Sequence, residues 1–240
     1  MSKTNINIPN ILTVLRVLSV PFFIYFILSH SFMLRVVAFG LFGLASLTDL
    51  VDGYLARKLN QETEFGKFLD PLADKFLVLG AFITFLFMTE QTQVWMVLCI
   101  VGRDMLITAL RYLAIWKGKS MRTSRFGKIK TAFQMFAIAV ILFGFLLITY
   151  KERGKINQLY LDASEQGISS FEMATQSLLA FIDQPGPNVI FNLSLFLPYF
   201  LMLLTTIVTV ISGLRYLYAN YDLIRPTELF KRNPDSQSKS

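Results

Sequence analysis

The 240-residue chain contains one cysteine and one histidine. Cys99 alone excludes an intrachain disulfide, and it lies in an apolar run. His30 alone, in a stretch that reads as a loop, leaves carboxylates as the natural general bases. Charge is scarce as well: 16% of residues are Asp, Glu, Lys or Arg, against about 25% in soluble proteins. Hydrophobic residues make up 54%, and several apolar runs exceed 18 residues, the length that crosses a bilayer. The expected fold class is therefore all-α, a polytopic membrane protein with six transmembrane helices. No internal repeat is visible. The first sixteen residues carry Lys3 and Arg16 and no small-residue cleavage site, so no removable signal peptide is expected. The net charge of +7 suits an anionic leaflet and anionic substrates. Nothing points to nucleic acid.

The apolar runs predict spans over about Ile11–Ser29, Phe32–Leu59, Lys67–Met88, Val94–Trp116, a fifth from the Lys128–Thr131 region to Tyr150, and Phe191–Leu217. Residues 1–220 form one catalytic domain on this reading, followed by a polar cytoplasmic tail over 221–240. The long connection 151–190 is expected outside the cell, polar apart from one surface-lying helix. There Ser169 and Glu172 have capping-box spacing, Phe171, Ala174, Leu178 and Ile182 repeat at amphipathic intervals, and Pro185-Gly186-Pro187 ends the helix. Lys and Arg placement sets the orientation. With both ends inside, the inner segments hold Lys3, Arg57, Lys58, Lys67, six cations from Lys117 to Lys130, and five from Arg215 to Lys239. The outer segments hold Arg35, Lys151, Arg153 and Lys155. The second span, roughly 42 Å long as a helix, should carry its last turns into the cytoplasmic interface.

Those last turns carry the most informative stretch, from Asp49 to Asp74. Asp49 and Asp52 are three apart, with Gly53 and Ala56 at the next helical offsets, and Asp70 and Asp74 are four apart. The polar link Lys58–Gly66 is short enough to make the two helices antiparallel neighbours, with the four carboxylates converging near one membrane surface. An Asp deep in a bilayer costs roughly 2.5–3.5 kcal/mol, so the cluster needs positive charge. Arg57, Lys58, Lys67 and Lys75 supply only part of it. Two divalent cations bridged by carboxylates would supply the rest, and all-oxygen ligation without His or Cys favours Mg²⁺ or Mn²⁺ over Zn²⁺. The alternative is a set of helix-end charges that mark the interface.

The pattern Asp49-x-x-Asp52-Gly53-x-x-Ala56-Arg57, eight residues, then Gly66-x-x-x-Asp70-x-x-x-Asp74 resembles the signature of the CDP-alcohol phosphatidyltransferases at all eight fixed positions. The resemblance implies a CDP-diacylglycerol donor whose tails stay in the bilayer, metal ligation by Asp49, Asp52 and Asp70, and a homodimer. It makes Asp74 the base that accepts the acceptor hydroxyl's proton while touching the second metal. Gly53, Ala56 and Gly66 would leave room for the nucleotide, with Arg57 near the diphosphate.

Further cations lie within the spans. Arg16 either faces a polar pocket or snorkels to the headgroups, and Arg103 and Arg111 imply either an anion site or internal salt bridges. Lys128 and Thr131 stand at a helix start, where amide donors favour anions, with Lys130 between them. Asn7-Ile8-Pro9-Asn10-x-Leu12-Thr13-x-x-Arg16, Gly102-Arg103-Asp104-x-x-Ile107-Thr108-x-Leu110-Arg111 and Gly127-Lys128-Ile129-Lys130-Thr131 resemble the members of that family whose acceptor is glycerol 3-phosphate. Arg16, Arg103, Arg111, Lys128, Lys130 and Thr131 are then the acceptor phosphate ligands. A cardiolipin or phosphatidylserine synthase is the alternative within the family. A metal-ion transporter is the alternative outside it, and it would place the carboxylates near the bilayer midplane.

Overall fold

A computed structural model describes residues 8–58, 64–116 and 125–221. The tail beyond Tyr221 and the basic loop 117–124 lie outside these residues. The described chain is all-helical: α1 (Ile8–Leu28), α2 (Phe32–Lys58), α3 (Glu64–Met88), α4 (Val94–Trp116), α5 (Arg125–Leu147), α6 (Tyr150–Glu165), α7 (Ser170–Asp183) and α8 (Val189–Ala219). Two compact units are distinguished, Met1–Gln93 with Gln134–Met202, and Val94–Phe133 with Leu203–Ser240.

Two helical segments, Ile129–Leu147 and Val189–Ala219, are long and apolar enough to cross a bilayer, and Thr13–Leu28, Phe32–Thr48 and Lys75–Met88 are shorter apolar segments. Side-chain distribution points the same way. Leu15, Leu18, Phe22, Leu44, Leu47, Leu204 and Leu214 are exposed, while Thr13, Arg16, Thr84, Thr205, Thr209 and Ser212 are buried. Apolar surface outside and hydroxyls inside suit a lipid solvent rather than water. Together with the length of these helices, this distribution is consistent with a membrane protein.

In the first unit α1 lies against both α2 and α3. Phe23 and Ile27 of α1 are fully buried, and the Phe23 ring sits 6.0 Å from that of Phe42. Gly80 of α3 is where α1 comes closest: a methyl group there would lie 2.8 Å from Val20 Cγ1. Small residues serve this purpose in membrane bundles, where packing rather than hydrophobicity joins helices.

Pro198 lies inside α8 and has no N–H to give the carbonyl of Ser194, four residues earlier. Gln91, in the α3–α4 turn and buried, supplies the donor: its Nε2 reaches Ser194 O at 2.9 Å and Leu195 O at 2.6 Å. Tyr160 of α6 also donates to Leu195 O, at 2.6 Å, and burial pushes its phenol pKa up to about 12.

The connection 151–190 holds two helices where the sequence predicts one. Thr149 and Glu152 form a complete capping box that starts α6 two residues after α5 ends. The Thr149 backbone N–H, and then its hydroxyl, hold the Glu152 carboxyl below the usual glutamate range. A Schellman turn ends α6: Gly167 has φ +78°, Ile168 N–H donates to Ala163 O and Gly167 N–H to Ser164 O. Ser169 then caps α7 by accepting from the Glu172 N–H. Asn157 ties α6 to the α3–α4 turn through Met88 O and the Glu90 N–H, while Phe171 and Phe181 of α7 pack on Tyr199, Phe200 and Phe196 of α8. The connection is thus a folded cap rather than a mostly polar loop.

Candidate active site

The premise of the carboxylate motif is helical spacing, and the backbone supplies it. α2 runs without a break through Asp49, Asp52, Gly53, Ala56 and Arg57 to Lys58, and α3 runs from Glu64 through Gly66, Asp70 and Asp74. Asp49 and Asp52 therefore share one face of α2, and Asp70 and Asp74 one face of α3. The side chains from Asp49 to Asp74 lie outside the described residues, as does the link 59–63. The donor set is carboxylate oxygen throughout, which fits a hard divalent cation. Arg16 on α1 is 2% exposed. Such burial fits the inward-facing alternative rather than snorkelling.

The second unit gathers a different set of residues. Asp104 on α4 accepts from Arg103 Nη1 on one oxygen, at 2.9 Å, and pairs through its other oxygen with Lys130 Nζ of α5. Arg103 continues to α8, where its Nη2 donates to Ser212 Oγ at 2.9 Å. The guanidinium arm lies across Gly213, where a methyl group would meet Arg103 Cγ at 2.8 Å. Ile107, Ala114 and Tyr216, with Leu110 beside them, form the apolar contact that holds this part of the unit. Lys130 is 4% exposed, so its ammonium is largely desolvated and has the Asp104 carboxylate beside it.

Arg103 Nε is buried with no hydrogen-bond partner among the described residues. The cluster is thus an internal salt bridge, one of the two alternatives left open for Arg103. Arg111 is exposed on α4, Thr131 donates to Gly127 O at 3.2 Å, and the Lys128 side chain lies outside the described residues. Sequence reasoning missed Asp104, Ser212 and Gly213 as parts of this cluster. Asp104 is legible only as the neighbour of Arg103, and no local spacing links either residue to a serine 109 positions away.

The family model described as CDP-alcohol phosphatidyltransferase matches residues 6–161, well over half of the chain. The chain belongs to the CDP-alcohol phosphatidyltransferase family. Among its curated relatives, a CDP-diacylglycerol–glycerol-3-phosphate 3-phosphatidyltransferase of Rickettsia felis is 40% identical over 139 residues, covering 58% of this chain and 76% of the relative. Proteins of the same name from Pseudomonas fluorescens and Bacillus subtilis are 42% and 40% identical over 148 residues, covering 57% of this chain and 72% and 76% of those proteins. All candidate residues from Arg16 to Thr131 fall inside the matched region of this phosphatidyltransferase. Ser212 and Gly213, which hold Arg103, fall outside it, as do α7 and α8.

Proposed function

We propose that this family member transfers the phosphatidyl group of CDP-diacylglycerol to glycerol 3-phosphate, giving phosphatidylglycerophosphate and CMP. The observation that carries the reading is the complete eight-position motif on two unbroken helices, α2 and α3, in a chain whose relatives bear the name of that reaction. Asp49, Asp52, Asp70 and Asp74 would hold two divalent cations, Mg²⁺ or Mn²⁺. Once bound, these neutralise phosphate oxygens and the leaving CMP. Asp74 takes the proton from the acceptor hydroxyl as the new O–P bond forms and the bond to CMP breaks. Gly53, Ala56 and Gly66 leave the nucleotide room, and Arg57 faces the diphosphate. Arg16, Arg103, Arg111, Lys128, Lys130 and Thr131 bind the acceptor's phosphate, with Asp104 keeping Arg103 and Lys130 in place. A phosphate dianion calls for several cations, and a neutral alcohol does not.

The same reading gives six spans within one catalytic domain, residues 1–220, with both ends and the aspartates on the cytoplasmic side of a bacterial-type inner membrane. It also makes the enzyme a homodimer. The test is product analysis of purified protein supplied with CDP-diacylglycerol and, in separate reactions, glycerol 3-phosphate, phosphatidylglycerol and serine. Phosphatidylglycerophosphate from the first is expected. Cardiolipin or phosphatidylserine as the main product would replace this acceptor assignment, and cation flux without nucleotide would replace the enzyme by a transporter.

A further inference from the structure

The family match ends at residue 161, and α8 lies beyond it. Its second half nevertheless has two unlike faces. Thr205, Thr209, Ser212, Tyr216 and Asn220 follow at offsets of three and four along one face, and all are buried. Ile207, Ile211, Leu214 and Tyr218 are exposed on the other. Hydroxyls buried in so apolar a helix hydrogen-bond across to neighbouring helices. For Ser212 the neighbour is α4, from which Arg103 Nη2 donates to Ser212 Oγ at 2.9 Å.

Gly213 stands next to Ser212 in the interior of α8, where glycine is a poorer helix former than every residue but proline. Arg103 supplies a reason for it. A methyl group at Gly213 would lie 2.8 Å from Arg103 Cγ and 3.3 Å from its Nε. Cγ is near the root of the side chain, so the arm cannot give way there without carrying the guanidinium along. A guanidinium holds its N–H donors in one plane. Arg103 commits Nη1 to Asp104, on its own helix, and Nη2 to Ser212 on α8. One acceptor fixes a direction, and two fix a plane. The side chain keeps 15% of its surface exposed, so the group is held without being sealed off. Arginine recognises phosphate through parallel N–H groups that meet separate oxygens, which makes the orientation of that plane decisive.

We propose that Ser212 and Gly213 are positioning residues for the acceptor. They set the plane in which Arg103 meets the phosphate of glycerol 3-phosphate, Ser212 by accepting from Nη2 and Gly213 by leaving the arm room to lie across α8. α8 is thereby a working part of the acceptor site. The inference rests on the assignment of Arg103 to that phosphate.

The test is steady-state kinetics of the purified full chain with Mg²⁺, CDP-diacylglycerol and glycerol 3-phosphate, each substrate varied in turn. Ser212→Ala is expected to raise KM for glycerol 3-phosphate about tenfold, the effect of one charge-assisted hydrogen bond, with kcat and the KM for CDP-diacylglycerol nearly unchanged. Ser212→Thr keeps a hydroxyl and should restore most of the loss. Gly213→Ala removes no hydrogen-bonding group and should raise the same KM by displacing the arm, and it serves if Ser212→Ala does not fold. Ser212→Ala added to Arg103→Ala should cost nothing further. An acceptor KM that rises in Arg103→Ala and stays unchanged in both α8 variants would overturn the inference and leave the acceptor reading standing. Additive losses in the double variant would overturn it as well, since Ser212 would then act apart from Arg103. An Arg103→Ala enzyme with an unaltered acceptor KM would remove Arg103 from the acceptor site, and this inference with it.

Discussion

Lys130 and Asp104 form an ion pair between the start of α5 and the middle of α4, and Arg103 occupies the other oxygen of the same carboxylate. Two of the residues assigned to the acceptor phosphate are therefore held by a third that carries the opposite charge. The pairing limits their freedom before any substrate arrives, and it places a carboxylate beside a largely buried ammonium.

Asp104→Asn should accordingly weaken glycerol 3-phosphate use, with KM rising about tenfold and the KM for CDP-diacylglycerol nearly unchanged. Asp104→Glu should recover part of the loss. Arg111→Ala and Lys130→Ala should cost about ten- to hundredfold, since a charge-assisted hydrogen bond is worth about 1.5–3 kcal/mol. Kinetics with each substrate varied in turn provide the check. Mutants that weaken the donor and spare the acceptor would move these cations to the nucleotide.

Chelation separates the metal assignment from a purely structural role for the aspartates. Excess EDTA should abolish turnover, and Mg²⁺ or Mn²⁺ should restore it. Asp70→Asn should insert into membranes at ordinary levels and be nearly inactive. Full turnover in EDTA would leave the four carboxylates without divalent cations.

Gln91 offers a stability test that avoids the chemistry. Gln91→Ala leaves the buried carbonyl of Ser194 without the donor that Pro198 cannot supply, a loss of about 1–3 kcal/mol. The midpoint of thermal unfolding in detergent should fall, while KM for both substrates at low temperature stays the same. Adding Pro198→Ala restores a helical N–H, so the double variant should recover part of the midpoint.

Acid should loosen the start of α6. The Glu152 carboxyl is held below its ordinary value of 4.5 by its bonds to Thr149, so their contribution is complete above that value and fades as pH falls through the lowered one. Hydrogen-exchange protection of the first turn of α6 should decline below about pH 4.5, and Glu152→Gln should flatten the dependence.

Orientation is open to direct labelling. In a Cys99→Ser background, single cysteines at exposed positions of α6 and α7 should react with an impermeant reagent from outside, and those in the 117–124 loop only from inside. Labelling of that loop from outside would reverse the arrangement and move the aspartates with it.

Local order fixed much of this protein. Helix positions follow from apolar runs and caps, so the predicted start of the fourth span at Val94 and end at Trp116 coincide with α4, and α8 extends the predicted 191–217 by two residues at each end. The aspartate motif is legible for the same reason: offsets of three and four along one helix are a property of the helix itself. Sequence gave less warning of α6, although Thr149 and Glu152 already stand at capping-box spacing; a polar helix with few periodic apolar positions reads as loop. Tertiary structure alone decided the rest. Arg35 and Arg153 read from sequence as outer-loop charges, but both are buried, because Arg35 provides donors at the end of α5 and α6 folds back as part of a cap. Likewise Lys130 meets Asp104 across 26 residues and Arg103 meets Ser212 across 109. Separations of that size carry no periodic signal, since only the packing of one helix on another brings such residues within hydrogen-bond distance.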